Sequence, residues 1–177
     1  MTSDMLRRWF PTINQKLTVD DLTSSPNLAA LVEVWRSACE TATGPLRIPA
    51  KLDPLDLPRA LLPYVMLLDL EQNVRPVLRV RLAGTYVCEK YGRELRGHTT
   101  DDFFAPEDAD HVVASALDVA MKRAPDVARR EYISLNGGLW SYVRVILPMS
   151  RDGHKVDSFF KALDPVSLTR QGGNVAA

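Results

Sequence analysis

Apolar and polar positions change period several times along this 177-residue chain, and each change marks an element. From Val65 to Leu163 the order is two strands, a helical middle, then three strands. VMLLDL (Val65 to Leu70) and VLRVRLAGTYV (Val77 to Val87) are the first pair, joined by a turn in which Gln72 and Asn73 supply the chemistry. A helical pattern runs from Pro106 to about Arg123, with proline at its first position and Glu107, Asp108 and Asp110 at its positive end. Then come VARREYISL (Val127 to Leu135), LWSYVRVILP (Leu139 to Pro148) and VDSFFKAL (Val156 to Leu163), with Asn136-Gly137-Gly138 as a hairpin turn. This order predicts an α+β fold: a five-stranded antiparallel sheet with helices inserted between strands 2 and 3, a cupped scaffold suited to a small ligand or a partner.

Outside that unit the period is different. Leu28, Leu31, Val32, Trp35, Ala38, Cys39 and Ala42 recur at steps of three and four, which predicts an amphipathic helix over residues 27–43, capped by Asn27 and ended by Gly44-Pro45. Residues 1–26 are polar apart from the Trp9-Phe10 pair and read as a flexible N-terminal segment, and 166–177 read as a disordered tail. Residues 44–165 form the remaining domain. Within it, Tyr86, Val87, Lys90 and Tyr91 suit a short helix closed by Gly92, with further helical turns around Thr100 to Phe104.

Composition narrows the function classes. Hydrophobic residues at 46% and charged residues at 25% can build a core without staples. Twenty-two basic residues balance twenty-two acidic ones, so no basic surface for nucleic acid is expected. Two cysteines without CxxC spacing read as free thiols. Neither a signal peptide nor a run of roughly 20 apolar residues is present, so a cytoplasmic protein without membrane contact is the expectation.

The run RVRLAGTYVCEKYGRELRGHTTDDFF (Arg79 to Phe104) resembles the signature of a bacterial PAS domain subfamily, which pairs RL-x-GT with YGR-x-L-x-G. Those motifs are Arg81 to Thr85 and Tyr91 to Gly97 here, and W-x-Y-x-R-x-x-LP (Trp140 to Pro148) follows in the expected order. The resemblance spans roughly Trp35 to Asp164. It implies a PAS-like fold, a role in signal perception or protein interaction, and a homodimer; it assigns no ligand or cofactor.

Strand alternation gives a first map of the site. Leu78, Val80 and Leu82 share one face, as do Val143, Val145 and Leu147. These aliphatic faces are expected to meet the central helices, so that Leu67, Val80, Val113, Leu117, Val143 and Phe160 wall a ligand pocket. Arg81, Tyr91, Arg93 and His98, clustered by the motif, are its candidate polar groups; an arginine can clamp a carboxylate with two parallel hydrogen bonds. The alternative for Arg81 is an ion pair with Glu94, Asp101 or Asp102. The opposite face, with Trp140, Tyr142 and Arg144, is too aromatic to stand bare and is expected to lie under Leu28, Leu31, Val32 and Trp35, within one chain or across a dimer. His111 falls on the polar side of its helix, which argues against a haem ligand, and Cys88 lacks the sequence context of a flavin photosensor.

No nucleophile, metal cluster or phosphate loop stands out. The reading is therefore a non-catalytic, stand-alone sensory or adaptor module that binds a small ligand or a signalling protein, since little chain follows the last strand. A ligand-free interaction domain is the alternative. A small cone-fold isomerase or hydratase is a lesser one, with Asp69, Glu131 and Asp157 as its carboxylates.

Overall fold

Pairing between the alternating runs produces a single antiparallel sheet in the computed structural model, which describes residues 13–104, 106–133, 139–166 and 169–171, and the side chains of 14–104, 106–131 and 141–166. The five expected strands are β2 (Val65–Gln72), β3 (Pro76–Ala83), β4 (Asp126–Ile133), β5 (Leu139–Met149) and β6 (Ser158–Leu163). They lie in the order β3-β2-β6-β5-β4, and β1 (Ile13–Leu17) adds a sixth strand beside β4. A short β7 (Thr169–Gln171) pairs with Leu139 to Ser141 of β5. Strands at both ends thus extend the sheet, so the flexible segment and disordered tail expected from polarity do not hold over 13–17 and 169–171. Backbone pairing carries these pieces where side-chain pattern gave little signal. The Trp9-Phe10 pair, the Asn136-Gly137-Gly138 turn and the Trp140 side chain lie outside the described residues.

Four α-helices accompany the sheet: α1 (Pro26–Thr41), α2 (Thr85–Tyr91), α3 (Thr100–Phe103) and α4 (Pro106–Lys122). Helix α1 starts one residue before the expected cap. Ser25 holds the N-cap position with Pro26 as the first helical residue, and the Ser25 hydroxyl donates to the buried Asp164 carboxylate just past β6. Proline's fixed φ makes it the better opening residue, and this displaces Asn27 into the first turn.

The three glycines of the recognised run each answer a backbone demand. A Cβ on Gly84 would stand 2.3 Å from the Pro63 carbonyl oxygen. Gly92 closes α2 at φ 68°, in the left-handed conformation common after a helix. Gly97, at φ 84°, donates its N–H to Val80 O, and Val80 N–H donates to His98 O, so residues 97–98 cover the edge of β3.

Two cores form, one on each side of the sheet. On the outer side, Leu28, Leu31, Val32 and Trp35 of α1 pack on Val127, Val143, Val145, Leu147, Met149, Phe160 and Ala162. The Trp35 indole N–H fixes the helix by donating to Pro148 O at 2.9 Å. On the inner side, Val112, Val113, Ala116 and Val119 of α4, with Val87 of α2, pack on Met66, Leu68, Leu78, Val80, Tyr142, Ile146, Phe159 and Leu163.

This corrects the expected assignment of faces. The aliphatic face of β3 does meet the central helices, but the aliphatic face of β5 turns outward beneath α1, and Tyr142 with Arg144 turns inward. Both faces of these central strands are buried, so alternation separates two sets of residues without saying which helix covers each. The apolar stripe of α1 takes the aliphatic set, and the polar set finds partners among the inner elements.

Candidate functional site

Strand register builds an unusual lattice on the inner face. Arg130 of β4 stands opposite Tyr142 of β5; Arg144 of β5 stands opposite Ala128 and Leu163; Lys161 of β6 stands opposite Ile146 and Met66. Arg130, Arg144 and Lys161 are therefore diagonal neighbours across three adjacent strands, with backbones roughly 7–8 Å apart from one to the next. All three are buried, at 4%, 2% and 5% exposure. Helix α2 brings Lys90 over them, its Nζ 5.2 Å from the centre of the Tyr142 ring. Its neighbour Tyr91 meets Phe103 and Phe104 edge-on, at 5.3 and 5.9 Å between ring centres.

Acids offset only part of this charge. Arg144 donates from Nη1 to Asp126 Oδ2 at 2.7 Å, and Asp126 is also 3.4 Å from Lys16 Nζ. Asp108, in the first turn of α4, acts electrostatically on Tyr91 and Tyr142. Lys161 makes no side-chain ion pair among the described residues; burial, followed by the like charges of Arg130, Arg144 and Lys90, pushes its proton affinity well below that of a free lysine. Burial, with Arg130, pushes Lys90 down to about 7. Burial also raises Tyr91 and Tyr142, keeping both phenols protonated. Arg130 Nε is buried without a hydrogen-bond partner. An uncompensated buried cation costs several kcal/mol, so a fold that needed only packing would fill these positions with aliphatics. The arrangement can hold and neutralise negative charge.

The residues expected to bind a ligand do not converge. Val113 and Leu117 belong to the inner core, while Val143 and Phe160, with Leu67, belong to the outer one. A strand bulge between Leu67 and Leu68 leaves Arg81 as an extra residue, and it pairs with Asp69 at 3.1 Å instead of Glu94, Asp101 or Asp102. Arg93 donates to the Asp102 carbonyl, and His98 lies 3.7 Å from the Asp102 carboxylate, both at the surface. Tyr91 alone of the four motif side chains reaches the inner lattice. The expected interface set is spent within the chain: Leu28, Leu31, Val32 and Trp35 cover the outer face of their own sheet, and Tyr142 faces inward.

Sequence reasoning missed Lys90, Arg130 and Lys161, and placed Arg144 on the wrong side. One signal was available. Lys161 is the single charge in Ser-Phe-Phe-Lys-Ala-Leu, a strand in which every position is buried, and a charge amid continuous apolar residues in a central strand has to be paired or functional. The carboxylates considered for catalysis sit elsewhere: Asp69 and Asp157 bind Arg151, and Glu131 accepts from Ser141 Oγ. Among the described residues, a cleft of ≈ 240 Å³ between β1 and α4 is lined by Asn14, Lys16, His111, Ser115, Asp118 and Asp126, so it adjoins the lattice through Asp126. His111 is there engaged with the Asn14 amide at 2.9 Å.

No group of three or more metal-ligating side chains occurs among the described residues, and no helix there is long and apolar enough to cross a membrane. No curated protein and no solved structure was found to match the chain. A family model described as PAS domain matches residues 23–164, taking in helices α1 to α4 and strands β2 to β6. This stretch holds nearly all of both cores and the charged lattice of the inner face, and the chain belongs to the PAS domain family.

Proposed function

We propose that this PAS domain is a bacterial sensory module that binds a small ligand between the inner face of its sheet and helices α2 and α4, without catalysing a reaction. The observation that carries this reading is the polar character of the inner face, where Lys90, Tyr91, Arg130, Tyr142, Arg144 and Lys161 replace the aliphatic residues that a structural core prefers. Binding there is read out through β5 and β6, whose other faces carry α1. A ligand shifts such an equilibrium only by its different affinity for the two states, and output passes to a signalling partner that senses the outer side.

Native mass spectrometry of the protein, purified without denaturant from its own host, tests the reading. A bound small-molecule mass, lost on unfolding, is the expected result. A bare polypeptide mass, together with methyl resonances of Val113 and Val119 that no metabolite extract displaces, would favour the ligand-free interaction domain.

A further inference from the structure

We infer that the ligand of this site is a small dianion, a dicarboxylate or a phosphomonoester, gripped by Arg130 and Lys161 from the sheet and by Lys90 from α2. The inference rests on the sensory reading above and adds the chemistry of the ligand.

Register and charge carry the argument. Three cations occupy diagonal positions on adjacent strands of one buried face, and a fourth reaches over them from α2. Against Lys90, Arg130, Arg144 and Lys161 stand two carboxylates, Asp108 and Asp126, and Asp126 is shared with Lys16. With Lys90 and Lys161 protonated, these cations would outnumber the two carboxylates that the described residues of the inner face set against them. One unsatisfied donor is in place, Arg130 Nε, which is buried without an acceptor, and the buried Lys161 makes no side-chain ion pair among the described residues. A guanidinium fork beside an ammonium group matches the oxygens of a carboxylate or phosphoryl group. A neutral ligand would leave those charges buried and uncompensated. The valines and alanine of α4 close over the lattice, which limits the ligand to a small one. Burial and mutual repulsion hold Lys161 and Lys90 below the ordinary lysine range, a state that an entering anion reverses.

Isothermal titration with succinate and with glycerol 3-phosphate, against succinamide and glycerol as neutral counterparts, tests the assignment. One anion is expected to bind while its neutral counterpart does not, and which one binds separates carboxylate from phosphoryl chemistry. Lys161→Met and Arg130→Met are each expected to weaken that binding by about tenfold or more. The unliganded variants should melt no lower than the parent, because each removes an unpaired buried charge. Arg129→Gln, an exposed change one residue along β4, is expected to leave affinity unchanged. If Lys161→Met does not fold, Arg130→Met decides.

Equal binding of an anion and its neutral counterpart, anion affinity unaltered in both methionine variants, or no binding of either anion at millimolar concentration would overturn the assignment. A neutral metabolite that displaces the Val113 and Val119 methyl resonances would sink the anion alone and leave the sensory reading standing. A metabolite library in which nothing displaces them would remove both.

Discussion

Gly84 shows what a single residue of the recognised run does. Its missing side chain lets the β3–α2 junction lie against the backbone of residues 62 and 63, and its N–H donates to Val65 O at 2.8 Å. Gly84→Ala would force backbone against backbone, and a loss of roughly 2 kcal/mol or more is expected in urea unfolding. Gly92→Ala, with open space around the new methyl group, pays only for its left-handed conformation and should cost about 1 kcal/mol. At the same scale, Lys90 makes stability depend on pH. Its folded value is about 7 against 10.5 for a free lysine, so the unfolded chain binds more protons between these limits. Stability therefore rises with pH across that window, and the burden is fully present below pH 7. Lys90→Met is expected to be the more stable protein near neutrality, with the gap closing as pH approaches 10; unfolding curves followed by circular dichroism at several pH values check this.

Among the elements, α1 was the most legible and the most misleading. Its stripe could be read residue by residue from the three- and four-step spacing, and Leu28, Leu31, Val32 and Trp35 are buried as that spacing requires. What it covers could not be read, because β5 and β6 offer two buried faces and only packing chooses between them. Apart from the lone charge of Lys161 in its apolar strand, the inner lattice was illegible for the same reason: Arg130, Arg144 and Lys161 come together only through the register of three strands, which no local pattern specifies. The motif glycines, by contrast, pointed to the fold but not to the inner lattice, since a conspicuous run can serve backbone geometry alone. Leu31→Ala should cost about 2–5 kcal/mol, as expected for a fully buried leucine, whereas Glu33→Ala on the exposed side should change little. Trp35→Phe, which keeps an aromatic ring but loses the bond to Pro148 O and part of the buried indole, should cost about 1 kcal/mol for the hydrogen bond and more for the space left behind.

At the scale of the whole molecule, the sheet is a partition between two interiors, and its middle strands have no solvent side. Residues 142–149 of β5 and all of β6 are buried, while β1 is held on one edge by β4. Native-state hydrogen exchange should therefore be slowest in β5 and β6, approaching the global unfolding limit, and fast in β1. Comparable protection in β1 would mean that the two interiors open as one unit. The contact between Ser25 and Asp164 gives this partition a mechanical consequence. Lys161 stands on one side of β6, and three residues later, just past the end of the strand, stands the carboxylate that accepts from the N-cap serine of α1. A displacement of that lysine has a lever only three residues long in which to dissipate before it tugs on the helix root across the wall.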